Sequence, residues 1–113
     1  MGEAEDAGMV VMLTAGSREE AGRLADMLVG ARLAACVQIL PAIESVYRWK
    51  GEVRHEPEVL LLAKTTRACF PSLEREVRAL HSYETPEIIA LPVVAASAPY
   101  LAWLTDTVKR RDE

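Results

Sequence analysis

Cys36-Val37-Gln38-Ile39-Leu40-Pro41-Ala42-Ile43-Glu44-Ser45-Val46-Tyr47-Arg48-Trp49, the turn Lys50-Gly51-Glu52, and the return Val53-Arg54-His55-Glu56-Pro57-Glu58-Val59-Leu60-Leu61-Leu62-Ala63-Lys64 decide the fold. Strand-forming residues dominate both arms, and a Gly between them marks a reversal, so the stretch reads as one long hairpin. In the first arm Val37, Ile39, Ile43, Tyr47 and Trp49 share one parity, while Gln38, Glu44 and Arg48 share the other. Pro41 cannot donate to a sheet ladder and marks a bulge or a free edge; Pro57 marks the same in the returning arm. An arm of this length spans roughly 46 Å at about 3.3 Å per residue, against a radius of gyration of ~13 Å expected for such a domain. It is expected to reach past its own subunit.

Working outward, Met9-Val10-Val11-Met12-Leu13 is an apolar run of strand length. Ser17-Arg18-Glu19-Glu20 has capping-box form, and Ala21, Leu24, Ala25, Leu28 and Ala31 follow helical spacing. Beyond the hairpin, Phe70, Leu73, Val77 and Leu80 predict a second helix, started either by a Thr66 cap or by Pro71 as first helical residue. Residues 88–94 read as a fourth strand, and Leu101, Leu104 and Val108 as a third helix entered through Ser97-Ala98-Pro99. The order is β-α-β-β-α-β-α. Without its last helix this is the α+β ferredoxin-like βαββαβ pattern, in which both helices cover one face of a four-stranded antiparallel sheet. Leu60-Leu61-Leu62-Ala63 and Ile88-Ile89-Ala90-Leu91 are nevertheless apolar on both faces. The uncovered face therefore calls for copies of the same chain, and a homo-oligomer is expected.

With 113 residues, half of them hydrophobic, the chain is long enough for one domain with its own core. Residues 1–8 read as a frayed acidic segment and residues 9–113 as the domain. Thirteen basic against seventeen acidic residues give a net charge of -4, which argues against a nucleic-acid partner. The sheet strands also carry aliphatic residues where RNA bases would need rings. The longest uncharged stretch, residues 88–104, falls short of a spanning helix and contains Pro92 and Pro99, so no membrane is expected. Two cysteines 33 positions apart form neither a metal knuckle nor a disulfide framework, and no secretory signal precedes the first strand, so a cytoplasmic location is expected.

None of the standard phosphate-loop, dinucleotide, zinc-protease, redox or nucleophile-elbow motifs occurs, and no enzyme is expected. The densest polar group is His81-Ser82-Tyr83-Glu84-Thr85-Pro86-Glu87. It reads either as a functional cluster or as structure, with His81 on a helix C-terminus, Tyr83 packed and Pro86 stiffening the strand entry. Cys36 and Cys69 read as small hydrophobes, with thiolate ligation the alternative. Tyr47, Arg48, Trp49 and Lys50 suit an interface anchor. Lys64, after a buried run, either snorkels outward or joins a buried pair.

Four of these stretches, residues 33–37, 47–51, 58–66 and 81–92, resemble the CutA divalent-cation tolerance family, in the family's order and across residues 10–104. The resemblance implies a homotrimer of ferredoxin-like subunits with sheets facing one another around the three-fold axis, similar to the PII signal proteins. It also implies a cytoplasmic role in tolerance of copper or another divalent cation, with no organic cofactor and no established catalysis. His81 matches the family's histidine and Cys36 a family cysteine, which makes them the expected metal ligands. Some members carry further ligands where this chain has Leu13 and Leu80, and Ser82 stands where Pro is usual. Lys64, Tyr83, Glu87 and Trp49 match positions near the family's subunit clefts, an expected ligand pocket that a PII-like alternative assigns to a small anionic metabolite.

Overall fold

The computed structural model describes residues 6–108. The elements run β1 (Gly8–Ala15), α1 (Arg18–Gly30), β2 (Cys36–Trp49), β3 (Glu52–Thr66), α2 (Phe70–Leu80), β4 (Ile88–Pro92) and α3 (Ala98–Val108). The strands form one antiparallel sheet in the order β2-β3-β1-β4, in agreement with the element order read from the sequence. Of the acidic segment expected to fray, residues 1–5 lie outside the described residues, and β1 already begins at Gly8.

The core forms where the sheet's odd-numbered side chains meet the helices. Val11, Leu13 and Ala15 of β1 and Val59, Leu61 and Ala63 of β3 pack with Ala21, Leu24 and Leu28 of α1 and Leu73 and Val77 of α2. Each fully buried Leu in that set contributes about 1.5–3 kcal/mol. The helices start where local chemistry allows. Ser17 caps α1 by accepting from the Glu20 amide at 3.1 Å. The other half of the expected capping box does not form, because Glu20 turns its carboxylate to Gly16 and Ser82. α2 begins at Phe70 with Pro71 in its first turn, where a missing N–H costs nothing, and Thr66 is not its cap. α3 packs at the end of the sheet where β1 starts, with Leu104 and Val108 against Ala35.

The hairpin corrects one sequence-based expectation. Leu40 pairs with Leu60 but the next pair is Ile43 with Glu58, so β2 carries one extra residue at the Pro41 irregularity. Strand parity is exactly two, so the extra residue reverses every later side chain. Val37 and Ile39 therefore lie on the helix side opposite Ala63 and Leu61. Ile43, Tyr47 and Trp49 instead share the face of Glu58, Leu60 and Leu62. The five residues do not share one face. Beyond Val59 the hairpin has lost its β1 partner, so Pro57 stands where its absent N–H leaves no ladder bond unmade toward β1. The arm stretches the chain to 44 Å, and Val46 and Val53 are each 58% exposed.

The sheet face away from α1 and α2 is apolar, as anticipated. Register rows across it bring together Leu91, Val10, Lys64 and Cys36; then Ile89, Met12, Leu62 and Gln38; then Thr14, Leu60 and Leu40. Leu40, Ile89 and Leu91 are exposed in the subunit.

Candidate functional site

The connector of residues 81–87 leaves α2 beside the end of β1, and its conformation is set by hydrogen bonds that are buried or partly buried. The His81 amide closes α2 on the Val77 carbonyl at 2.8 Å. Its ring is buried; Nε2 lies 2.7 Å from the Thr14 carbonyl, and the Tyr83 amide donates to Nδ1 at 3.0 Å. A carbonyl can only accept and an amide N–H only donate, so the partners define a neutral ring with the proton on Nε2. Glu20 completes the arrangement. Its carboxylate accepts from the Ser82 amide at 2.7 Å and the Gly16 amide at 3.3 Å, and lies 3.4 Å from His81 Nδ1. Burial alone raises the Glu20 carboxyl, but the hydrogen bonds from Ser82 and then Gly16 outweigh it, so it titrates below its ordinary value.

Held this way, the connector forms one wall of a cleft of about 670 Å³ at the root of the hairpin, lined also by Thr14, Ser45, Tyr47, Trp49, Arg54 and Glu58. Tyr83 lies close against Gly16, where a β-carbon would meet its hydroxyl at 3.2 Å. That hydroxyl donates to Glu58 at 2.9 Å, and Ser45 donates to the other Glu58 oxygen at 2.6 Å. The phenol is pushed up to about 12, first by burial and then by Glu58 as acceptor and as charge, so it stays a donor. Glu87 is raised as well, by burial and by the Glu58 charge. Among the described residues that line the cleft, Glu58, Glu84 and Glu87 stand with one cation, Arg54, which also lies 3.7 Å from Glu52. The lining is net negative.

Of the residues expected at a cleft between subunits, Trp49, Tyr83 and Glu87 line this cleft within one chain, and Lys64 of the same chain lies outside it. Lys64 lies six residues along β3 from Glu58, about 20 Å away, with its Nζ 6.0 Å from the Tyr100 ring. His81 and Cys36 do not meet in one subunit. Cys36 pairs with Lys64 and so with the Val10 row, whereas His81 holds Thr14, about 13 Å along β1. Both thiols are free, and among the described residues no group of three or more His, Cys, Asp and Glu is placed to hold a metal ion. Sequence reasoning missed Glu58 and Glu20. The signal for Glu58 was a carboxylate directly before an apolar run; Glu20 was read only as half of a capping box, and nothing pointed to its partner Ser82, 62 residues away.

The model of the CutA1 divalent ion tolerance protein family matches residues 9–107. A divalent-cation tolerance protein CutA of Thermus thermophilus is 50% identical over 97 residues, which is 86% of this chain and 94% of that one. A solved Cut A1 structure from the same organism superposes with a TM-score of 0.87 at 49% identity, covering 88% of this chain and 97% of that one. A chloroplastic CutA of Arabidopsis thaliana is 44% identical over 89% of this chain, which spans 56% of that relative's length. The structure of a protein described as periplasmic, CutA of Archaeoglobus fulgidus, gives a TM-score of 0.88 at 37% identity, covering 90% and 99%. The cytoplasmic expectation is thereby corrected: relatives are assigned to chloroplast and periplasm, so the fold and motifs do not specify that compartment. No helix among the described residues is long and apolar enough to cross a membrane. The matched family model, the identity and the superposition agree, and the chain belongs to the CutA1 divalent ion tolerance protein family.

Proposed function

We propose that this protein is a self-assembling, non-catalytic member of its family that acts by binding a positively charged ligand in the cleft between the hairpin root and residues 81–87. The observation that carries this reading is the balance of charge in the cleft, three carboxylates against one guanidinium, with Glu87 already raised by burial and by Glu58. A cation relieves that repulsion and an anionic metabolite meets it, with Lys64 of the same chain outside this cleft. Trimer formation is supported by the apolar face, whose exposed Leu40, Ile89 and Leu91 adjoin Met12, Leu60 and Leu62. Copper on His81 and Cys36 is less well supported, since within one subunit His81 gains a free ring nitrogen only by giving up Thr14 or Tyr83.

Fluorescence of Trp49 in a Trp103→Phe background tests the proposal. Titration with manganese, zinc and copper ions is expected to change the signal, and Glu58→Gln to weaken the response. A response to dicarboxylates or nucleotides alone overturns the cation reading. A metal response that survives Glu58→Gln and disappears in a His81→Ala, Cys36→Ala variant moves the site to that pair.

A further inference from the structure

We infer that the cleft is built for an organic ammonium ion, an alkyl amine or diamine, with its charged nitrogen between Glu58 and Glu87 and its carbon chain against Tyr47, Trp49 and Tyr83. This rests on the cation reading given above and names the chemical class.

Size separates an organic cation from a bare metal ion. A metal ion with six waters occupies on the order of 200 Å³, counting about 30 Å³ per water. In the single chain the cleft measures about 670 Å³, within the range of roughly 300–1,000 Å³ typical of small-molecule sites, and its Tyr47, Trp49 and Glu58 share the sheet face proposed to meet neighbouring copies. Donor chemistry points the same way. A hard divalent cation takes roughly six converging oxygens, often several carboxylates. Here both Glu58 oxygens already accept from hydroxyls, at 2.6 Å from Ser45 and 2.9 Å from Tyr83, and among the described residues no cluster of three ligand side chains is placed for a metal. Two carboxylates lining the same cleft, Glu58 tied down by its hydroxyl partners and Glu87 within reach of its charge, instead suit a multidonor ammonium group, which needs acceptors on several sides and no fixed coordination number.

The walls supply what an alkyl ammonium needs and a metal ion does not use. Three of the chain's aromatic residues, Tyr47, Trp49 and Tyr83, line this one cleft, although only 5% of the chain is aromatic. Aromatic faces attract ammonium groups and offer apolar surface to a methylene chain. Nζ of Lys50 stands 6.0 Å from the centre of the Trp49 ring, so that ring offers the ligand its apolar surface and the ligand's charge belongs at the carboxylates. Val46 adds aliphatic lining beside it.

Calorimetry on the whole assembled protein tests the inference with putrescine, butylamine, their uncharged counterpart butanediol, and zinc ions. Putrescine and butylamine are expected to bind and butanediol not to. Glu58→Gln and Glu87→Gln are each expected to weaken the amines at least tenfold, and Trp49→Leu roughly fivefold with no effect on zinc. The comparison of amine with diol uses only the unmodified protein, so it holds even where a variant folds poorly. Zinc binding that depends on Glu58, with no amine binding, overturns this inference and leaves the cation reading standing. Binding of neither amines nor zinc at the cleft overturns both.

Discussion

Replacing Glu20 by alanine removes a carboxylate that joins the start of α1 to the connector carrying Tyr83. The side chain is 8% exposed and accepts from Ser82 at 2.7 Å and Gly16 at 3.3 Å, with His81 Nδ1 at 3.4 Å. A hydrogen bond to a charged group contributes about 1.5–3 kcal/mol, but Gly16 and Ser82 are themselves exposed, so water meets part of the loss. The expected cost is about 2–3 kcal/mol, or roughly 8–12 °C in Tm for a chain of this size. The pH dependence carries the sign. Glu20 titrates below its ordinary value of 4.5 in the folded state, so its contribution is present above that value and is lost as pH falls through the lowered one. Urea unfolding at fixed protomer concentration, at neutral and acid pH, measures this. The difference between parent and variant is expected to be full at neutral pH and to shrink in acid. A neutral-pH loss under about 1 kcal/mol, or a loss that persists unchanged in acid, refutes the placement of Glu20 as the anchor of the connector.

Glu87→Gln works in the opposite direction. Its folded value is raised above 4.5, so its contribution is present below that value and is lost as pH rises; the ionised form is a liability at neutral pH. The variant should melt higher at neutral pH by a few tenths of a kcal/mol, an amount kept small by solvent screening, and should match the parent in acid. A lower neutral-pH melting temperature contradicts the assignment. Leu62→Glu places a carboxylate in the middle row of the apolar face, beside Met12 and opposite Gln38. In the proposed trimer, burying it unpaired costs at least about 3 kcal/mol per copy, so sedimentation at micromolar concentration should find separate chains where the parent is expected to be trimeric. A trimer that persists would show that this face is not the contact between copies.

The sequence was most legible where one local rule decides one feature. Ser17 as a cap, the Pro71 first turn and the two-faced apolar run at Leu60-Leu61-Leu62-Ala63 all follow from a few adjacent residues. The cleft was legible only in part. Trp49, Tyr83 and Glu87 stand out as residue types, but nothing in their spacing shows that Glu58 joins them or that Lys64 lies about six strand positions away. Those facts depend on register, which belongs to the pairing of two strands and not to either alone.

Pro41 shows how far a single such fact propagates. Counted along β2, Ile39 and Ile43 are in phase, and a period of two carries the helix-side face straight on to Tyr47 and Trp49. The ladder instead steps from Leu40 and Leu60 to Ile43 and Glu58, and the phase turns over. A Pro there forgoes a ladder hydrogen bond that a bulge does not make in any case, so the residue and the irregularity suit each other. The consequence is chemical. Only on the Glu58 side can Ser45 reach that carboxylate at 2.6 Å, and only there do Tyr47 and Trp49 face the connector that Glu20 and His81 hold in place. Without the extra residue, Ser45, Tyr47 and Trp49 would continue the Val37 and Ile39 row, Glu58 would lose the Ser45 hydroxyl, and Tyr83 would close over a wall with no rings.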